Sequence, residues 1–191
     1  MDAYKVYISK IITSYTTYEH VPATWQVGHS LTSIYSLSCF LYCITGFIIM
    51  NLTSTYPEYF EIEEALIWIW QGIIAFVSDS YYLGRNSISH PIDRISALIV
   101  TFLLMRKYLT ISGIICCYPH YNIICENDNY SNLLNIELII GLFYSFFCLY
   151  NSLIGYRINN KKRYFMFHTL WHTGFPLTTL GFHIILLNYE I

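Results

Sequence analysis

Charged side chains are scarce in this chain of 191 residues. Lys, Arg, Asp and Glu together make up 12% of it, whereas a soluble globular domain carries about 25%. Hydrophobic residues make up 55%, and long uncharged runs recur along the whole length. An ordinary soluble domain is therefore excluded, and the composition predicts a multi-pass integral membrane protein.

Several kinds of functional site are missing as well. The six cysteines have no CxxC or zinc-finger spacing, so they do not form a metal-binding framework. A net charge of −2 without a basic stripe argues against a nucleic-acid partner. The sequence has no glycine-rich phosphate loop and no serine nucleophile elbow. The first residues lack an unbroken apolar core and a cleavage site, so we do not expect a signal peptide there.

Five segments are apolar enough to be predicted as membrane spans. They are residues 27–50, 65–83, 90–118, 132–156 and 164–188. The first has no charged residue and would extend about 36 Å as a helix, enough to cross a bilayer. The predicted fold is a single all-α domain over residues 1–191, a transmembrane helix bundle of about five spans, with six or seven as alternatives. Residues 1–24 are predicted to form a cytosolic interfacial segment.

The third span decides the count, because Arg106 and Lys107 interrupt it. Either half alone would be too short to cross a bilayer. Counted as one crossing, it gives five spans in which the acidic loops lie on one side and the basic loops lie with the N-terminus in the cytosol. The acidic loops are 51–64 and 119–131, and the basic loops are 84–94 and 157–163.

Two histidines open the last span. His168 and His172 are four residues apart, so on a helix both imidazoles lie on one face, one turn apart. Two imidazoles at this spacing can bind one metal ion. Burying them in a membrane has a cost, so they form a functional hypothesis. The alternative is that both only hydrogen-bond to neighbouring helices.

Polar residues at two other span ends lie on the same predicted side, the cytosolic one. Span two ends with Ser78 and Asp79, although Asp79 could simply lie at the membrane interface. Span three begins with His90 and Asp93, which share a helix face and could be ordinary capping groups. If these groups converge with the histidine pair, two or three imidazoles and a carboxylate surround one point. That donor set, with an open position for water, is the pattern of a catalytic zinc site.

The set resembles the CREST superfamily, which groups alkaline ceramidases, progestin and adipoQ receptors, haemolysin-III-like proteins and GPI-lipid-remodelling hydrolases. The HTLWH sequence from His168 to His172 looks like the family's H-x-x-W-H motif in the last span. Asp93 looks like the aspartate at the start of its third span. The resemblance implies a zinc ion held by three histidines and, in the enzymes, an amide or ester bond of a lipid as substrate.

The chain departs from the family pattern in span two and in span number. The family has a serine and a histidine four residues apart at the end of span two, but here Tyr82 follows Ser78 at that distance. His90 or Asp79 would have to replace the missing ligand, unless the site is degenerate. The family also has seven spans, and five are counted here.

Two functions follow as alternatives. The first is a zinc-dependent hydrolase of a lipid amide, similar to a ceramidase and acting on a sphingolipid-like membrane lipid. The second is a non-enzymatic membrane protein, either a lipid-binding receptor or a structural component, without an active metal site. In the hydrolase, the predicted zinc ligands are His168, His172 and His90, the residues that position water are Asp93 or Asp79, and the donor to the developing oxyanion is Ser78.

Overall fold

All the elements delimited in this computed structural model are helical, which confirms the predicted all-α class. The residues described are 9, 12–13, 16–18, 21–26, 28–57, 60–111 and 128–190. No strand occurs among them. Most of the predicted interfacial segment, the end of the third predicted span and most of the second acidic loop lie outside the described residues.

Six α-helices can be delimited in the described part of the chain. They are α1 Ile34–Ser38, α2 Phe40–Thr55, α3 Ile62–Ala75, α4 Ser89–Ile111, α5 Asp128–Arg157 and α6 Lys161–Glu190. A short 3-10 helix, Ala23–Gln26, precedes them. A π-helix, Phe76–Tyr81, follows directly on α3.

Three helical segments are long and apolar enough to cross a membrane. They are Ile34–Thr55, which joins α1 and α2, Asn132–Arg157 within α5, and Lys161–Asn188 within α6. With 22, 26 and 28 residues, each exceeds the roughly 20 residues that a bilayer core requires. These helices support the predicted integral membrane protein. Helix α3 has 14 residues before the π-helix begins, and α4 has 23 residues but includes four charged ones.

The chain forms two compact units, Met1–Val100 and Thr101–Ile191. In the first unit α2 and α3 pack closely because each has a glycine at the contact. A Cβ atom on Gly46 would lie 2.6 Å from the carbonyl oxygen of Ala65, and one on Gly72 would lie 2.8 Å from the backbone nitrogen of Cys43. Small residues of this kind let helix backbones approach each other in a membrane, so the glycines fix the spacing of this pair.

The second unit contains an antiparallel hairpin of α5 and α6, joined by residues 158–160. Asn159 adopts the left-handed conformation, with φ of 53°, and the Asn160 backbone nitrogen donates to the carbonyl oxygen of Gly155 at 2.8 Å. A left-handed residue after the last turn and a backbone hydrogen bond across it commonly end a helix, and here they end α5. Residues about equally far from the turn then face each other, and small side chains line the contact. The facing pairs include Gly141 with Thr178, Ser145 with Gly174, and Gly155 with Tyr164.

Asn160 also caps the start of α6, because its side-chain oxygen accepts a hydrogen bond from the Arg163 backbone nitrogen at 2.9 Å. We expect Asn160→Ala to lower the free energy of unfolding by about 1 kcal/mol, the usual cost of losing an N-cap. Denaturant titration of the detergent-solubilised protein measures this change. Lys162→Ala, at an exposed position in the same turn, is the control. An equal loss in both variants would show that the cap contributes nothing.

Candidate metal-binding site

The two histidines of the last predicted span lie in the first half of α6, one turn apart. The ring centroids of His168 and His172 are 4.6 Å apart, and the ring planes are nearly perpendicular. His172 is buried, and His168 is half-buried. Because the helix itself sets this spacing, one metal ion can reach a nitrogen of each ring.

Neighbouring side chains hold His168 in this orientation. Its Nδ1 lies 3.1 Å from the hydroxyl oxygen of Ser152 on α5, and the ring of Tyr164 packs against its own at a centroid distance of 5.0 Å. Ser152 is only 1% exposed. Reasoning from the sequence missed Ser152. The available signal was the short turn after α5, since Ser152 lies about as far before that turn as His168 lies after it.

In the first unit, Ser78 and Asp79 lie in the π-helix that follows α3. The Tyr82 backbone nitrogen donates to the carbonyl oxygen of Val77 at 3.0 Å, a bond that spans five residues. Such wide turns occur frequently at functional sites. Ser78 and Asp79 are almost completely buried. The sequence predicts two polar residues at the end of an apolar segment here, but it does not predict the π-helix.

His90 lies in the first turn of α4 and is fully buried. Its Nε2 lies 2.8 Å from the carbonyl oxygen of Arg85, so this nitrogen carries a proton and donates it. In the neutral ring Nδ1 is then an acceptor, and the Ser78 hydroxyl donates to it at 2.9 Å. These contacts tie α4 to the π-helix and favour a packing role for His90 over the predicted role as a zinc ligand.

Asp93 belongs to a chain of hydrogen bonds between α3 and α4 in the same unit. Gln71 Nε2 donates to Asp93 Oδ1 at 2.9 Å, and Ser96 Oγ donates to Gln71 Oε1 at 2.8 Å. Trp70 Nε1 donates to Ser96 Oγ at 3.0 Å. The roles of Gln71 and Ser96 were not predicted from the sequence.

The structure therefore groups the predicted site residues within each unit. In the first unit, Ser78 contacts both Asp79 and His90, and Asp93 accepts a hydrogen bond from Gln71. In the second unit, the rings of His168 and His172 contact each other. Imidazole nitrogens and carboxylate oxygens are the donors that zinc takes in catalytic sites, so the donor types fit this metal.

Comparison with known proteins gives no match. No family model, no curated protein and no solved structure matches the chain.

Proposed function

We propose that this integral membrane protein binds one divalent metal ion through His168 and His172 of α6. We propose further that, with zinc bound, it hydrolyses the amide bond of a sphingolipid-like membrane lipid. The observation that carries the proposal is the histidine pair of α6, whose rings lie 4.6 Å apart. The motif that it forms is also the strongest part of the resemblance to the CREST superfamily.

A packing role alone accounts poorly for this pair. Burying two adjacent imidazoles in a membrane-spanning helix costs free energy unless they bind a ligand or pair with each other. His168 is also contacted by a hydroxyl group through Nδ1. Histidine ligands of metal ions typically use their second nitrogen for such an outer contact, which fixes the ring and the proton position. The histidine pair therefore has the surroundings of metal ligands.

Zinc in such a site supplies a Lewis acid that polarises the lipid carbonyl and activates water at neutral pH. In the proposed reaction water adds to the carbonyl carbon, so that a C–O bond forms as the C–N bond breaks. The proton that the water loses passes to the leaving amine nitrogen, which yields a fatty acid and an amine.

A second candidate function is a lipid-binding or structural membrane protein without catalysis. The observation that favours it is that Ser78, His90 and Asp93 each have a hydrogen-bond partner within the first unit. Polar groups that are paired in this way can serve simply to hold helices together.

Metal content tests the proposed function. We expect detergent-solubilised wild-type protein to retain about one zinc ion per chain, since one site is proposed, and His168→Ala/His172→Ala to retain none. His183→Ala is the matched control, because His183 is a buried histidine of the same helix whose Nδ1 donates to the carbonyl oxygen of Thr179 at 2.7 Å. Folded wild-type protein that binds no zinc would contradict the proposal.

Turnover then separates the two candidate functions. If the protein is a hydrolase, the zinc-loaded wild type will release fatty acid from a ceramide presented in mixed micelles, and the double histidine variant will not. Zinc binding without release from ceramides or other lipid amides would favour the non-enzymatic alternative.

A further inference from the structure

We propose that Ser152 is a positioning residue for the metal site and acts through His168. In this inference, the Ser152 hydroxyl oxygen accepts a hydrogen bond from the Nδ1–H group of His168. The proton is thereby held on Nδ1, and Nε2 keeps the lone pair that binds the metal ion. The inference rests on the proposed function, because it assigns an orienting group to the same histidine pair.

The geometry of the second unit carries this inference. Ser152 Oγ and His168 Nδ1 are 3.1 Å apart, within the range of a hydrogen bond. Ser152 is 1% exposed, so water does not readily replace it as the partner of the ring. The short turn between α5 and α6 and the close contact of Gly155 with Tyr164 hold the two helices in register at this end. The hydroxyl group is thus fixed opposite Nδ1.

The chemistry of imidazole gives the contact its direction. A neutral imidazole has one nitrogen that donates and one that accepts. If the Ser152 hydroxyl donated to Nδ1, the ring proton would lie on Nε2 and would block that nitrogen as a ligand. If the hydroxyl oxygen accepts from Nδ1, Nε2 is ready to bind a metal ion. The same serine therefore either permits or prevents metal binding, depending on the proton position.

The Tyr164 ring restricts His168 further. Its centroid lies 5.0 Å from that of His168, and the two planes are inclined by 32°. Rotation of the imidazole that would exchange its two nitrogens has to displace this aromatic ring or break the contact with Ser152. Together, the serine and the tyrosine select one orientation and one tautomer.

Metal affinity tests the role of Ser152. We expect Ser152→Ala to weaken zinc and cobalt binding by about 10- to 100-fold, the usual effect of losing an outer partner of a histidine ligand. The matched control is Ser145→Ala. Ser145 is also 1% exposed and lies on the same helix seven residues earlier, and its hydroxyl has no hydrogen-bond partner among the described residues. Ser152→Thr, which keeps the hydroxyl group, should recover most of the affinity.

The metal affinities of the variants, compared with that of the wild type, test the inference. Weaker binding by Ser152→Ala alone supports the inference, as does a changed cobalt absorption spectrum in that variant. Equal losses in Ser152→Ala and Ser145→Ala would show a general packing effect and overturn it. Wild-type affinity in Ser152→Ala would overturn this inference but leave the proposed function standing. A wild type that binds no metal would overturn both.

A measurement on the wild type keeps the inference testable even if Ser152→Ala does not fold. Nitrogen-15 NMR of the imidazoles reports which ring nitrogen carries the proton, and the His168 signals are assigned by their loss in His168→Ala. We expect the proton on Nδ1 both in the metal-free protein at high pH and in the zinc-loaded protein. A proton on Nε2 in the zinc-loaded protein would overturn the inference.

Discussion

Replacing His172 with phenylalanine is expected to weaken zinc binding by more than about 100-fold, because loss of a ligand costs more than loss of an outer partner of a ligand, which costs about 10- to 100-fold. Phenylalanine keeps an aromatic ring but has no nitrogen that can bind the metal ion. His172 is 3% exposed, so water is poorly placed to substitute for the imidazole. Titration of the metal-free protein with zinc in the presence of a competing chelator measures the loss.

His90→Phe is the control for His172→Phe, because both variants remove a buried imidazole. It removes the two hydrogen bonds that His90 makes with Ser78 and with the carbonyl oxygen of Arg85. Each buried group left without a partner costs about 1–3 kcal/mol, so the variant should be less stable but should still bind zinc. Loss of zinc in folded His90→Phe would contradict the packing role of His90.

The second large effect is expected from Gly72→Ala, which should lower the free energy of unfolding by about 3 kcal/mol through overpacking. The new Cβ atom would lie 2.5 Å from Cys43 Sγ, 2.8 Å from the Cys43 backbone nitrogen and 3.1 Å from the carbonyl oxygen of Cys39. Two of these three atoms belong to the backbone of the α1–α2 segment. They cannot move aside unless the two helices separate. Denaturant titration in detergent, followed by circular dichroism, measures the change.

Gly28→Ala is the control for Gly72→Ala. A Cβ atom there meets nothing within 4 Å, but φ of 73° is unfavourable for alanine. The expected loss is about 1–2 kcal/mol, from backbone strain alone. If Gly72→Ala costs no more than Gly28→Ala, then the close approach of α2 and α3 does not contribute to stability.

The long helices follow from the sequence, because a run of apolar residues that must satisfy its own backbone hydrogen bonds in a membrane forms a helix. Residues 132–156 were predicted as a span, and α5 covers Asp128–Arg157. The π-helix at Phe76–Tyr81 does not follow in this way. A change from four-residue to five-residue hydrogen bonds leaves the pattern of apolar residues almost unchanged.

The candidate site was predictable only where its residues lie on one helix. His168 and His172 share one helix, so their spacing in the sequence is also their spacing in space. The partners of His90 and Asp93 depend on packing between segments, and local spacing does not encode them. Gln71 is an example, since it lies 22 residues before Asp93, to which it donates a hydrogen bond.

The α5–α6 hairpin also affects how the chain folds. Ser152 and His168 are 16 residues apart in sequence, so closing a short turn is enough to bring them together. Contacts between residues close in sequence form fast, because little chain entropy is lost before the contact is made. The histidine pair is therefore oriented early, by its own hairpin.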